Sequence, residues 1–209
     1  SVMSHELLGS SFDIHGGGID LLFPHHENEV AQSCCAYPDE KFSNYWMHNG
    51  FVQIKGEKMS KSLGNFLTVN DLIQEGISGE TIRLVLLSTH YRQPLDWTKE
   101  RVNEMAIVLK KWHKLCDGIS PSLEPSKVVV NALSDDLNTP MIIAELHRLA
   151  SVGEFSKLLA SAQLLGLLSS KDRRKSEEIN INIKNRIEEL IKKRSKAKQA
   201  KDFALADSI

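Results

Sequence analysis

The sequence is poor in the features that mark secreted and membrane proteins. It has 3 cysteines in 209 residues, and an odd number that includes an adjacent pair suits reduced cytosolic thiols better than a disulfide framework. No apolar run reaches the roughly 18 residues of a membrane-spanning helix. The first residues lack a basic leader followed by an apolar core, so no secretory signal is expected. A cytoplasmic protein without a membrane segment is therefore predicted.

Aromatic residues and net charge are low as well. Aromatics make up 6% of the chain, and the formal net charge is -1. The chain as a whole therefore has no attraction for nucleic acid, and any RNA contact must come from local patches. The apolar fraction of 41% and the charged fraction of 25% are ordinary for a globular protein. The length allows one large domain or two small ones.

The first third of the chain has an α/β pattern. Alternation over Phe12–His15 predicts a short strand, and Gly16–Gly18 predicts a tight turn at which the backbone can approach a ligand. Pro24 suits the first turn of a helix that runs to about Ala36. A second strand-like piece extends over Trp46–Ile54. This order predicts part of an α/β nucleotide-binding sheet.

The pattern after Asn65 is helical. Ser78 is a candidate N-cap, and Thr139 with Pro140 predicts another helix start. One apolar stripe, of the kind that faces a core, consists of Val102, Met105, Leu109, Trp112 and Cys116. Helices are predicted over residues 79–89, 98–116, 140–151 and 154–168. The fold class is therefore α/β followed by a mainly α region.

Lys58-Met59-Ser60-Lys61-Ser62 is the most specific chemical signal in the sequence. Two lysines and two serines on a loop next to glycine can surround a polyphosphate. The ammonium groups oppose charge that builds on a leaving pyrophosphate, and the hydroxyls orient its oxygens. A loop can also close over a nucleotide and reopen. Taken alone, such a pentapeptide could also be an exposed turn.

Candidate metal ligands lie in the segment Phe23–Glu29. His25 and Glu29 are four residues apart and share one face of a helix, and both residue types bind zinc. Cys34 lies about 180° around the same helix from His25, and Cys35 is also poorly aimed, so the ligand set must be completed from elsewhere. The alternative for an isolated His–Glu pair is a surface ion pair.

Gly18, Asp20 and His15 are further candidates. The Asp20 carboxylate can accept hydrogen bonds from ribose hydroxyls, and Gly18 lets the backbone come close; a structural turn capped by Asp20 is the alternative. His15 either lies near reacting groups or is a satisfied buried histidine. For Trp46 and Trp97, core packing is favoured over stacking on a ligand.

The end of the chain is basic. Ile187, Leu190 and Ile191 predict the apolar stripe of a helix, and the cations around it are Lys192, Lys193, Arg194, Lys196, Lys198 and Lys201. Such a run is either a solvated helix face or a contact for RNA phosphates. The run 171–175 has the composition of an exposed linker.

These features together resemble the cysteinyl-tRNA synthetases, a family of class I aminoacyl-tRNA synthetases. The loop 58–62 reproduces the KMSKS signature of that class and follows a predicted strand. The matching runs, in order, are 12–29, 44–48, 58–65, 135–140 and 197–207. The resemblance therefore spans nearly the whole chain, although residues 119–132 and 167–182 carry little of it.

The resemblance implies roles for residues in two places, the loop 58–62 (the phosphate loop) and the segment around Gly16–Gly18 (the glycine segment). Lys58 and Lys61 would be catalytic and would stabilise the phosphates of ATP, which is the substrate together with Mg²⁺. Ser60 and Ser62 would bind ATP beside Lys61. Gly18 and Asp20 would hold its ribose, and His15 would lie in the vicinity of the substrate.

The resemblance also implies a metal and partners. His25 and Glu29 would be ligands of one zinc ion, completed by two cysteines from segments that precede Ser1. The substrates would be cysteine, ATP and tRNA(Cys), and the enzyme would be a cytoplasmic monomer. Because the family's HIGH-type motif is not in the sequence, this chain alone is expected to be inactive and to hold zinc weakly.

The implied architecture is the second half of a Rossmann-type catalytic domain followed by a helical bundle. Residues 1–67 would belong to the catalytic domain and 68–97 to a connecting region that contacts the tRNA stem. Residues 98–170 would form a tRNA-binding bundle, and 171–209 a linker and the start of an anticodon-region domain. The alternatives are a cysteine:glucosaminyl-inositol ligase of mycothiol biosynthesis and a noncatalytic RNA- or metal-binding module.

Overall fold

A computed structural model describes residues 1–54, 56–59, 64–169, 186–196, 198 and 202. Within these residues the chain is mixed α/β, with helices dominating and only short strands. It divides into two compact units, Ser1–Leu167 and Leu168–Ile209. Among the described residues, no helix has the length and apolar character needed to cross a bilayer.

Strands and helices alternate in the first part of unit 1. The elements are α1 (Val2–Leu8), β1 (Phe12–Gly18), α2 (Glu27–Ala36), β2 (Ser43–Asn49), β3 (Val52–Ile54) and β4 (Glu57–Lys58). Two short helical turns, Ile19–Leu21 and Leu22–His26, connect β1 to α2. The predicted helix end at Ala36 is confirmed, but α2 begins at Glu27, and Pro24 lies in the turn before it rather than in its first turn.

Helices make up most of the remainder of unit 1. They are α3 (Val69–Gln74), α4 (Gly79–Leu87), α5 (Lys99–Leu115), α6 (Lys127–Ser134), α7 (Thr139–Val152) and α8 (Phe155–Leu164), with β5 (Leu95–Asp96) between α4 and α5. The sequence patterns did not predict α1, α3, α6, β4 or β5, and β4 replaces the end of a predicted polar loop. In the second unit, residues 186–196 are helical, and the predicted linker 171–175 lies outside the described residues.

The glycine segment is part of a strand, which corrects the prediction of a tight turn. β1 pairs in parallel with β2, and the register runs from Phe12 opposite Ser43 to Gly18 opposite Asn49. A Cβ at Gly16 would lie 3.0 Å from the carbonyl oxygen of Met47. The glycines therefore continue the strand, and their missing side chains allow the close approach that was expected at a turn.

The predicted strand 46–54 is two strands that meet at Gly50. The N–H of Gly50 donates to the carbonyl of Tyr91 at 2.7 Å, and a Cβ on Gly50 would collide with the carbonyl of Gln93. The chain therefore leaves the first sheet at Gly50 and enters a second one. There β3 pairs antiparallel with β4 and parallel with β5.

An apolar cluster lies beneath the second sheet. Its buried members are Leu72, Ile82, Val85, Leu95, Trp97 and Val102. Trp97 is thus a core residue, as predicted. Burial of such side chains is the main favourable contribution to folding, at about 25 cal/mol per Å² of apolar surface. This cluster joins the short strands to α3, α4 and α5.

The helix boundaries follow local capping. The Ser78 hydroxyl accepts the N–H of Thr81 at 3.1 Å, which confirms the predicted cap of α4. For α7 the predicted cap, Thr139, is wrong by one residue, because the Asn138 side chain accepts the N–H of Met141 at 3.3 Å. The last helix of unit 1 ends at Leu164 rather than at residue 168, and Gly166 has a φ of 71°.

Asp136 ties the α6–α7 turn to the segment that follows α4. Its Oδ1 accepts the Tyr91 hydroxyl at 2.6 Å, and its Oδ2 lies 2.7 Å from Nε of Arg92. The hydrogen bond from Tyr91 is the main cause that lowers the pKa of Asp136. Asp136 and Leu137 have φ values of 51° and 55°, a conformation that non-glycine residues rarely adopt. The side-chain contacts hold this turn in place.

A buried polar network crosses the interior of the helical region. Glu145 is 6% exposed, and its carboxylate accepts two hydrogen bonds from Arg148, at 2.7 and 2.9 Å. The Ser126 hydroxyl donates to the same carboxylate at 2.8 Å. The bonds from Arg148, and then the one from Ser126, lower the pKa of Glu145. The network satisfies a carboxylate that would otherwise be costly to bury.

The lowered pKa of Glu145 predicts a pH-dependent contribution to stability. The contribution is complete above the ordinary pKa of 4.5 and is lost as the pH falls through the lower value of the folded state. Glu145→Gln should reduce the free energy of unfolding at pH 7 by about 1–2 kcal/mol, as expected for charged hydrogen bonds to a partner that is partly exposed. Urea unfolding from pH 7 to pH 3 measures the difference, which should shrink below pH 4.5. The control is Glu104→Gln on the exposed face of α5; a pH-independent deficit for Glu145→Gln would contradict this account.

Candidate functional site

Aromatic and histidine rings collect on one side of the β1–β2 sheet. The His15 ring centroid lies 4.5 Å from that of His26 and 4.9 Å from that of Trp46. His48 stacks on Trp46 at 6.0 Å with an interplanar angle of 6°. The parallel register brings the rings of His15, Trp46 and His48 together, because His15 is opposite Trp46 and Gly17 is opposite His48. Trp46 is 36% exposed and packs within this ring cluster, so the prediction of core packing is wrong for Trp46.

Three potential metal donors meet beside this ring cluster. The donor atoms of His15, His26 and Glu29 all lie within 4.8 Å of one another. His15 comes from β1, whereas His26 and Glu29 flank the start of α2. Gly17 makes room for this arrangement, since a Cβ there would lie 3.1 Å from Cε1 of His26 and 2.9 Å from Cδ1 of Leu21.

One carboxylate oxygen of Glu29 is buried without a hydrogen bond among the described residues. This atom, Oε2, lies 3.0 Å from Nε2 of His15, yet the two groups lack hydrogen-bond geometry. A buried carboxylate oxygen without a hydrogen bond is costly, and a cation beside it would remove that cost. The chemistry of the donors, imidazole nitrogen and carboxylate oxygen, fits zinc.

Two histidines of this cluster, His26 and His48, have lowered pKa values. Burial is the first cause that lowers the pKa of His26, and the charge of His15 adds to it. Burial likewise lowers the pKa of His48, followed by the charge of His26. His26 Nδ1 and His48 Nε2 share a hydrogen bond of 2.9 Å. Neutral imidazole is the form that binds metals.

The predicted ligand His25 lies on the surface. It is exposed, whereas its neighbour His26 is 5% exposed. The structure thus brings Glu29 together with His15 and His26, and His25 is not in that donor group. The pairing of His25 with Glu29 stays a prediction.

Asp20 and Lys58 meet at the carboxyl end of β1. Lys58 Nζ donates to Asp20 Oδ2 at 3.0 Å, and both side chains are about half exposed. The hydrogen bond from Lys58 is the main cause that lowers the pKa of Asp20. Gly18 allows Asp20 to fold back, since a Cβ on Gly18 would lie 2.5 Å from Asp20 Oδ1. The structure therefore joins the glycine segment to the first lysine of the phosphate loop.

The rest of the phosphate loop is not described. Ser60, Lys61 and Ser62 lie outside the described residues. Lys58 is the last residue of β4, and the N–H of the following Met59 donates to the carbonyl of Val52 at 3.3 Å. The loop thus begins directly at the edge of the second sheet.

Sequence reasoning missed His26, His48 and Phe51. Phe51 lies under Lys58, with the ammonium nitrogen 4.0 Å from the ring centroid. The signal for His48 was its period-two spacing from Trp46, which places both on one face of a strand. The position of Phe51 depends on how β3 and β4 pair, and a local pattern does not reveal that pairing.

Comparison with known families gives this geometry a context. The family described as tRNA synthetases class I (C) catalytic domain matches residues 1–107. This chain belongs to that family. The match includes both strands of the β1–β2 sheet, which is called the glycine sheet below. It also includes the donors His15, His26 and Glu29 and the pair Asp20 and Lys58. Both groups of residues therefore lie within the part of the chain that matches the catalytic-domain family.

Curated relatives cover the whole chain. The cysteine–tRNA ligase of Ruegeria sp. strain TM1040 is 51% identical over 100% of this chain and 46% of its own length. That of Paracoccus denitrificans is 52% identical over 100% of this chain and 45% of its own length. The chain therefore spans about half the length of the relatives it matches.

A match among solved structures is much more distant. The leucyl enzyme of Agrobacterium radiobacter K84, in a ternary complex with tRNA, is 18% identical, with a TM-score of 0.43 over 73% of this chain and 21% of that one. This likeness is too low to support an argument.

Proposed function

We propose that this synthetase-family chain is part of a cysteine–tRNA ligase that forms cysteinyl-adenylate from cysteine and ATP and transfers cysteine to tRNA(Cys). The observation that carries the proposal is the contact of Asp20 with Lys58 at 3.0 Å. It joins a carboxylate suited to ribose hydroxyls with a cation suited to phosphates. Cysteine and its tRNA are proposed as substrates because both relatives are named cysteine–tRNA ligases.

Asp20 and Lys58 would exchange partners when ATP binds. The Asp20 carboxylate would accept hydrogen bonds from the ribose hydroxyls, with Gly18 allowing the approach, and Lys58 would turn to the phosphates with Mg²⁺. Lys61, Ser60 and Ser62 would complete the phosphate contacts. As the carboxylate of cysteine attacks the α-phosphorus, Lys58 and Lys61 would stabilise the charge on the leaving pyrophosphate.

His25 and Glu29 would hold zinc together with ligands from outside this chain. The exposure of His25 suits a ligand that faces another segment, and the unpaired oxygen of Glu29 suits a cation. When bound, zinc favours a thiolate over a hydroxyl, so it would distinguish cysteine from serine, where packing alone gives about 1–3 kcal/mol. His15, 3.0 Å from Glu29, would orient that carboxylate near the substrate.

The remaining parts of the chain would serve the tRNA. In this proposal residues 1–67 are the second half of a Rossmann-type domain, and 68–97 contact the acceptor stem. Residues 98–170 form a helical bundle along the tRNA, and 171–209 begin the anticodon-region domain. The exposed lysines of the helix 186–196 are suited to phosphate contacts, which depend strongly on salt.

Cysteine-dependent ATP–pyrophosphate exchange tests the reaction directly. The experiment uses the full-length protein, meaning one that extends over the whole length of its relatives, rather than the 209 residues alone. Lys61→Ala should lower the exchange rate about a hundredfold, because it removes one charge that stabilises the leaving group. The control is Lys110→Ala, an exposed lysine on α5, which should leave the rate unchanged.

The acceptor is tested in the same preparation. Transfer of labelled cysteine to tRNA supports the proposal, and transfer to glucosaminyl-inositol instead would identify the mycothiol ligase. Absence of exchange in the unmodified protein would support a noncatalytic module.

Zinc content distinguishes the predicted ligand His25 from its buried neighbour His26, which lies in the donor group with Glu29. His25→Ala should lower the zinc bound per full-length chain well below one, because one of four ligands is lost. His26→Asn is the control, since His26 is buried against His48 and should affect stability more than zinc. Metal analysis after gel filtration measures both. Loss of zinc in His26→Asn, with retention in His25→Ala, would assign the site to His15, His26 and Glu29 instead.

A further inference from the structure

Lys58 is held between a carboxylate and an aromatic ring. Its ammonium nitrogen is 3.0 Å from Asp20 Oδ2 and 4.0 Å from the centroid of the Phe51 ring. An ammonium group over the face of an aromatic ring is attracted by the quadrupole of the ring. Two different interactions therefore hold the end of a side chain that is half exposed.

The strand pairing places Phe51 beneath Lys58. Gln53 of β3 is directly opposite Lys58 of β4, and Phe51 precedes Gln53 by two residues in extended chain. Residues two apart share a face of a strand, and a diagonal cross-strand neighbour is within reach of an aromatic side chain. The Phe51 carbonyl accepts the N–H of Leu95 at 2.8 Å, which fixes the backbone that carries the ring.

Core packing does not account for the position of Phe51. The apolar cluster beneath the second sheet contains the next residue, Val52, as a partly buried member. Phe51 is not part of that cluster, because alternation turns its ring to the opposite face. The ring is only half-buried, and the charged group above it is Lys58.

We propose that Phe51 is a positioning residue for Lys58, and that its ring holds the ammonium group in place when Asp20 exchanges Lys58 for the ribose of ATP. This inference rests on the proposed function. Without the ring, Lys58 would lose one of the two contacts that its ammonium group makes among the described residues, and it would lose the other when the nucleotide takes the Asp20 carboxylate.

A double-mutant cycle tests this role in the full-length protein. Phe51→Leu should lower kcat/KM for ATP in pyrophosphate exchange about two- to fivefold, the size of an exposed cation–π interaction, without a change in KM for cysteine. Phe51→Trp should retain the wild-type value, because tryptophan is the strongest partner for a cation. In a Lys58→Met background, Phe51→Leu should have no further effect.

Two results would overturn the proposal. One is an equal loss from Phe51→Leu with and without Lys58. The other is an equal loss of kcat/KM for ATP in Phe51→Leu and Phe51→Trp, with a lower thermal midpoint in both variants. A purely structural role of Phe51 would give that result.

An NMR measurement separates this proposal from the proposed function. The ε-methylene protons of Lys58 should be shifted upfield by the Phe51 ring, and Phe51→Leu should return them to their ordinary position. If that shift is absent, the proposal fails even when exchange is normal. If the shift is present but the unmodified protein shows no exchange with cysteine, the failure lies in the proposed function.

Discussion

The close approach of β1 to its neighbours is the constraint on which the rest of the site depends. Gly16–Gly18 run against Met47–Asn49 in a parallel pair, and a side chain at any of the three glycines would meet an adjacent atom at 3.0 Å or less. Because the strand stays extended through the glycines, the following turns deliver Asp20 to one side and His26 to the other. The two candidate clusters thus share one short piece of backbone.

The second constraint is the meeting of three segments around Gly50. The chain passes there from the glycine sheet to the sheet that carries Phe51 and Lys58, and Gly50 donates to the carbonyl of Tyr91. Tyr91 in turn donates to Asp136, which lies in the turn between α6 and α7. Backbone and side-chain hydrogen bonds therefore connect the chain at Gly50, just before β3, to the helices that the proposal assigns to tRNA.

The sequence predicted best what depends on local chemistry. Ser78 was identified as a cap, Trp97 as a core residue, and the helix end near Ala36 is correct, because capping, periodicity and proline position act within a few residues. The loop 58–62 was assigned to phosphate binding through its residue types and its resemblance to the KMSKS signature, and that assignment stays a prediction. Its first lysine does lie beside Asp20, although the pattern gave no contact between them.

Tertiary pairing decided the features that the sequence did not reveal. Glycines usually end a strand, but the parallel partner strand stabilises Gly16–Gly18 in extended form. His26 is buried and His25 exposed, a difference that two adjacent histidines do not show in sequence. Phe51 lies over a cation only because Gln53 pairs with Lys58. Each of these depends on which strand lies beside which.

The most direct test of the account is a crystal structure of the full-length protein with a non-hydrolysable cysteinyl-adenylate analogue. The account predicts that the ribose hydroxyls bind Asp20, that Lys58 leaves Asp20 while staying over the Phe51 ring, and that the thiol of the analogue points to the metal beside Glu29. An analogue bound elsewhere, with the contact between Asp20 and Lys58 intact, would contradict it.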